Sequence, residues 1–87
     1  MHPKLFKTDD PFAKPEAAAR ELIRIMKAET ETKERPFAYV GTVNSVFISA
    51  STVKSYSAGR DFGIAKNWFK IMRAGCEFHL TPEGEDA

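Results

Sequence analysis

STVKSYSAGRDFGIAKNWFKIMRAGCEFHLTPEG, residues 51–84, is the stretch whose reading decides the fold. Ser51 and Thr52 are both N-cap residues, with hydroxyls able to accept from the free N–H groups of a first helical turn. Beyond them Ala58, Phe62, Ala65 and Phe69 recur at helical spacing, which predicts a helix with that face inward. The same phase turns Tyr56, Arg60, Gly63 and Asn67 outward. Asn67 predicts the end, because Asn enters the left-handed conformation more cheaply than other residues except Gly. Alternation then predicts a hairpin. Phe69 and Ile71 point one way and Lys70 and Met72 the other; on the return, Phe78 and Leu80 share a face, with Glu77, His79 and Thr81 opposite. Arg73-Ala74-Gly75-Cys76 forms the turn, with Gly75 free to take positive φ. Pro82 cannot donate to a sheet and ends the second strand.

Outward from this stretch, residues 15–29 read as a helix. Pro15 suits the first helical position and Glu16 the positive N-terminal end. Ala18, Ala19, Leu22, Ile23, Ile25 and Met26 make one apolar stripe, with Arg20, Glu21, Arg24 and Lys27 toward water. Residues 30–35 read as a polar linker. Residues 37–50 carry two readings: β-branched and aromatic content favours a strand, whereas Val40, Val43 and Phe47 also fall at helical spacing. A helix over residues 38–47 agrees best with the elements after it. Residues 1–13 read as a mobile N-terminal arm, with Leu5, Phe6 and Phe12 able to dock and His2 an exposed terminal residue. Residues 14–84 form the domain and residues 85–87 an acidic stub.

The helix, its aromatic exit at Asn67-Trp68-Phe69, the short hairpin and Leu80-Thr81-Pro82-Glu83-Gly84 resemble the second half of a winged helix-turn-helix domain. Many members end the recognition helix in Gly-Trp or Gly-Leu and the wing in Leu-Thr-x-x-Gly; Asn67 stands where Gly is usual. The resemblance reaches from Pro36 to Gly84 if the middle segment is helical, and covers only Ser51 to Gly84 if it is not. It implies an α+β winged helix, three helices packed on a small C-terminal antiparallel hairpin, with double-stranded DNA as partner.

Composition bounds the alternatives. An 87-residue chain is one domain. No apolar run approaches the roughly 20 residues of a membrane span, and no secretion signal opens the chain. The expected location is cytoplasmic. The single cysteine, Cys76, excludes an internal disulfide and a multi-cysteine zinc site. Net charge is +1, but unevenly spread. Residues 53–75 hold Lys54, Arg60, Lys66, Lys70 and Arg73 against Asp61 alone, and residues 76–87 hold Glu77, Glu83, Glu85 and Asp86 with no Lys or Arg. The positive charge thus gathers on the helix and hairpin that the resemblance assigns to DNA.

Cys76 and His79 face opposite sides of an alternating strand, so they do not pair as nucleophile and base. No phosphate loop or His-Glu-x-x-His motif occurs. The expectation is a non-enzyme without cofactor or metal. The expected nucleic-acid contacts are Lys54, Tyr56, Ser57, Arg60, Lys66 and Arg73. Arg60 suits guanine O6 and N7 or a phosphate, Lys54 and Lys66 suit phosphates, and Arg73 sits at the wing tip. Trp68, Phe69, Met72 and Tyr39 are expected to pack. The expected core joins Leu22, Phe62, Ala65, Phe78 and Leu80. A second reading keeps the fold but docks a protein, not DNA, on the same helix, and surface character separates the two: a continuous positive face or an exposed apolar patch.

Overall fold

Pro15 opens the longest element, and its place at the first helical position follows from a ring that fixes φ and lacks an N–H needing a partner. The computed structural model describes residues 10–87. In order these are α1 (Pro15–Lys33), β1 (Ala38–Tyr39), α2 (Val40–Ala50), α3 (Val53–Ala65), β2 (Phe69–Met72), β3 (Glu77–Leu80) and α4 (Pro82–Asp86). The architecture is α+β, three helices followed by a hairpin and a short fourth helix, with a three-stranded antiparallel sheet in the order β1-β3-β2.

All six residues of the α1 stripe are buried. The helix does not stop at residue 29 but runs on to Lys33, so the predicted linker is mostly helical. Polarity marks the last turn as exposed and does not end it. The stop is Glu34, left-handed at φ 55°, after which the Arg35 N–H reaches back to the Thr30 carbonyl at 3.1 Å.

The ambiguous segment contains both of its readings in succession. Ala38 and Tyr39 pair with Phe78 and Glu77 of β3. The chain then turns into α2, which buries Val43 and Phe47 as helical spacing predicts. The hairpin has the predicted alternation, with Phe69 opposite Leu80, Lys70 opposite His79, Ile71 opposite Phe78 and Met72 opposite Glu77. Its turn needs positive φ at Arg73 and Ala74 as well as at Gly75.

α3 begins as expected, with the Thr52 hydroxyl accepting from the Ser55 N–H at 3.0 Å. It ends as expected too, at a left-handed Asn67 with φ 61°. Its phase is different. The buried residues are Ser55, Tyr56, Gly59 and Gly63, so the predicted inward face of Ala58, Phe62 and Ala65 is turned aside. Phe62 is half-buried against Trp68 (ring centroids 5.5 Å), and Ala65 is exposed. The cause is close approach. A Cβ on Gly59 would lie 2.6 Å from Ala18 Cβ, and one on Gly63 would overlap the Phe69 ring. Two glycines let α3 settle on α1 and β2 where larger side chains would hold it off.

The core centres on Leu22, Met26, Val43, Phe47, Phe69 and Phe78. Of its predicted members, Leu22 and Phe78 are buried and Leu80 is half-buried. Tyr39 and Met72, expected to pack, are each 44% exposed, because both lie on the face of the sheet turned away from the helices.

The two ends of the chain also differ from expectation. Residues 10–13 of the predicted arm are held. The Asp10 carboxylate accepts from the Ser51 hydroxyl (3.0 Å), the Ser55 hydroxyl (2.9 Å) and the Phe12 N–H (2.9 Å), and Phe12 packs on Phe47. The rest of that arm, with His2, Leu5 and Phe6, lies outside the described residues. At the other end the acidic stub belongs to α4, capped by Thr81, whose hydroxyl accepts from the Gly84 N–H at 3.0 Å and donates to the Asn67 carbonyl. Pro82 therefore both ends β3 and opens a helix. Gly84 is buried against the Trp68 carbonyl, where a Cβ would collide with backbone.

Candidate nucleic-acid interface

α2 and α3 are joined by Ser51 and Thr52 alone, and Asp10 ties that turn from outside through the hydroxyls of Ser51 and Ser55. Its carboxyl is held below the ordinary carboxylate range, first by the Phe12 N–H and then by the two serines, with burial opposing. The anchored turn fixes where α3 begins and leaves one side of the helix free.

That free side carries Lys54 and Ser57 in its N-terminal half, Lys54 exposed and Ser57 half-buried. Arg60 lies on the flank. Six residues at about 100° each put it some 120° around the axis from Lys54. Its guanidinium lies 3.2 Å from the Asp61 carboxylate and 5.8 Å from the Tyr56 ring centroid. Lys66, just past the helix, is exposed with its ammonium 5.7 Å from the Phe62 ring. Arg73 is exposed in the hairpin turn.

Tyr56 does not belong to this surface. Its side chain is only 5% exposed and its ring stands edge-on to Phe47 at 6.0 Å. Burial pushes its hydroxyl pKa up, while Arg60 opposes the shift. The tyrosine supports the helix; it does not face a groove.

The cationic set is therefore spread out. Lys54 lies on the outer face, Arg60 on the flank beside a carboxylate, Lys66 at the helix end and Arg73 at the hairpin tip. Between them stand the one carboxylate of the charge count and two apolar residues that charge counting passes over. Asp61 has a side chain 70% exposed on the same outer face, and Val53 (63%) and Ile64 are exposed along it. Helical phase alone would have found these three, once the buried face was known to be the glycine face. Lys70 is exposed on β2, where alternation predicted it.

The other groups of interest carry no convergent chemistry. Cys76 is an exposed free thiol in the hairpin turn. His79 pairs with Glu77 at 2.9 Å on the outer face of the sheet. Among the described residues no three His, Cys, Asp or Glu side chains gather as a metal site, and no helix is long and apolar enough to cross a membrane. No family model, curated protein or solved structure matches the chain.

Proposed function

We propose that this domain is a winged helix-turn-helix module that binds double-stranded DNA through α3, as a small transcriptional regulator or accessory factor. One arrangement carries the reading. Two helices joined by a two-residue turn lead straight into a β-hairpin, and the second helix holds Lys54 and Ser57 outward in its N-terminal half. A recognition helix meets base edges and phosphates with that part of its length. Lys54, Lys66 and Arg73 supply phosphate contacts. Arg60 joins them on leaving Asp61, an exposed pairing of little strength.

The test is binding to mixed-sequence duplex at several salt concentrations. Three to four phosphate contacts give a log–log slope of about −3 to −4. Lys66→Ala flattens it by about one and weakens all sequences alike. Arg60→Ala costs about 1–3 kcal/mol on a preferred site if it reads a guanine. A purified protein that shifts no duplex at low ionic strength ends the DNA reading.

A second reading, a protein partner on the same helix, is favoured by Val53 and Ile64. These exposed apolar side chains flank Asp61 on a face that is not continuously positive. Were it correct, Ile64→Ser would abolish partner capture while Lys54→Ala left it intact.

A further inference from the structure

Residues 10–13 lie against α2 and α3 as a small ligand would. They close on themselves: the Asp10 carboxylate accepts from the Phe12 N–H at 2.9 Å, and the Asp10 carbonyl accepts from the Ala13 N–H at 3.2 Å. They meet the two helices through two side chains. The Asp10 carboxylate accepts from the Ser51 hydroxyl, 3.0 Å from each of its oxygens, and from the Ser55 hydroxyl at 2.9 Å. The Phe12 ring lies 5.6 Å from that of Phe47. Among the described residues no backbone hydrogen bond joins this strap to α2 or α3, and no Lys, Arg or His pairs with Asp10. Phe12 stays half-buried, with Pro11 and Ala13 exposed on either side of it.

We propose that the seat formed by Phe47, Ser51 and Ser55 is a peptide-docking site, closed here by the chain's own Asp10-Pro11-Phe12. It takes a partner segment that carries an aspartate and, two residues on, a phenylalanine. The seated strap is itself the argument for that chemistry. Two neutral hydroxyls hold a carboxylate by charge-assisted hydrogen bonds, and an aromatic ring beside them holds a second ring. The strap is a turn ordered by its own bonds, so an equivalent turn in another protein loses little freedom on docking. The seat is built without the strap's help: Thr52 caps α3 with its own hydroxyl, and Phe47 packs on Tyr56 as well. Because the strap is attached by side chains alone, a competing segment has two anchors to displace and no ladder to break. This site stands apart from the outer face of α3, whatever that face binds.

The test opens the seat in the full chain and offers it a strap from outside. The probe is a capped peptide with the sequence of residues 8–14, Thr-Asp-Asp-Pro-Phe-Ala-Lys. Two anchors on so small a segment give a dissociation constant of about 0.1–1 mM. Asp10→Ala combined with Phe12→Ala should bind it in that range, with amide NMR shifts gathered at Phe47, Ser51, Ser55 and Tyr56. The wild type should bind at least about tenfold more weakly, since its tethered strap competes at an effective concentration of millimolar or more. A peptide with Asn for the second aspartate, or Ala for the phenylalanine, should not bind measurably, and Ser55→Ala in the opened chain should abolish binding of the original. Thermal melts establish that each variant is folded; should the double variant not fold, Asp10→Asn alone opens the carboxylate seat and should still bind more tightly than the wild type. A folded, opened chain that ignores the peptide overturns the proposal. So do control peptides that bind equally well, shifts centred on Val53 and Ile64, or a wild type that binds as tightly as the opened chain. Dimerisation of the wild type that Asp10→Asn abolishes would also overturn it, by making the occupant a second copy that exchanges its strap.

Discussion

α1 and α3 make the most extensive contact between elements in the molecule, yet they contribute to it in opposite ways. α1 offers large apolar side chains, among them Leu22, Ile23, Ile25 and Met26. α3 offers Gly59 and Gly63, with Ser55 and Tyr56. One helix fills space and the other gives it up. A helix face can be buried because it is apolar or because it is small enough for a neighbour's backbone to come close. Only the first kind leaves a hydrophobic stripe.

The largest expected effects test that contrast directly. Leu22→Ala opens a cavity in the core and should cost about 2–5 kcal/mol, against a total stability of about 4–13 kcal/mol for a domain of this length. Adding one methyl to the other helix should also destabilise. The Cβ of Gly59→Ala would lie 2.9 Å from the Ala18 carbonyl carbon and the Ala19 nitrogen, and backbone yields only by moving the helix, at about 1–3 kcal/mol. Gly41→Ala in α2 is the control. A Cβ there meets nothing within 4 Å, so helix propensity should stabilise by up to about 1 kcal/mol. Denaturant midpoints of the three variants decide the matter. If Gly59→Ala and Gly41→Ala shift the same way, the close approach of α3 to α1 is wrong.

Phe62 separates the two possible phases of α3. Were it central to the core, its truncation would cost about 3–5 kcal/mol. Half-buried against Trp68, it should cost half that, about 1.5–2.5 kcal/mol. A loss at the full core value would restore the phase read from apolar spacing.

These variants also mark what was legible beforehand. The caps, the α1 stripe, the hairpin alternation and the Asn67 stop each rest on chemistry confined to a few neighbouring residues, and each could be read from the chain. The rotation of α3 depends on Ala18 and Phe69, distant in sequence, and no local pattern encodes it. Apolar spacing accordingly chose Phe62 and Ala65 and placed Tyr56 outside. The candidate surface inherited the error, taking in buried Tyr56 and overlooking Val53 and Ile64. Lys54, Ser57, Lys66 and Arg73 stay outside the core because they lie off the buried face in either phase or beyond the helix.

Ser55 adds a titrating element to the contrast, since a polar residue on the inward face of α3 is satisfied by Asp10. Because the folded carboxyl titrates below its unfolded value of about 3.9, the stability it gives is complete above that pH. It is lost as pH falls through the lower folded value. Asp10→Asn should remove this part of the acid dependence and, by weakening the bonds to Ser51 and Ser55, cost about 1 kcal/mol at neutral pH. Melting curves between about pH 2 and 7 for both proteins measure it. Parallel curves would show that the tie to Ser55 contributes nothing.

The smallest expected effect lies at the helix ends, where the contrast reverses. Both α1 and α3 are followed by a left-handed residue, Glu34 at φ 55° and Asn67 at φ 61°. Asn lowers the cost of that conformation with its short polar side chain, so α3 ends on a residue suited to it. Glu has no such help, and α1, otherwise the more conventional helix, carries strain of about 1–2 kcal/mol at its stop. Glu34→Gly removes the strain but gives the unfolded chain more freedom, which offsets part of the gain. The net should be a stabilisation of about 0.5–1 kcal/mol, seen as a rise of about 3–6 °C in Tm. Asn67→Gly has less strain to relieve and the same entropic offset, so its Tm should move by no more than about 2 °C. If Glu34→Gly melts at or below the parent temperature, the Glu34 side chain is doing more at the end of α1 than its exposed position suggests.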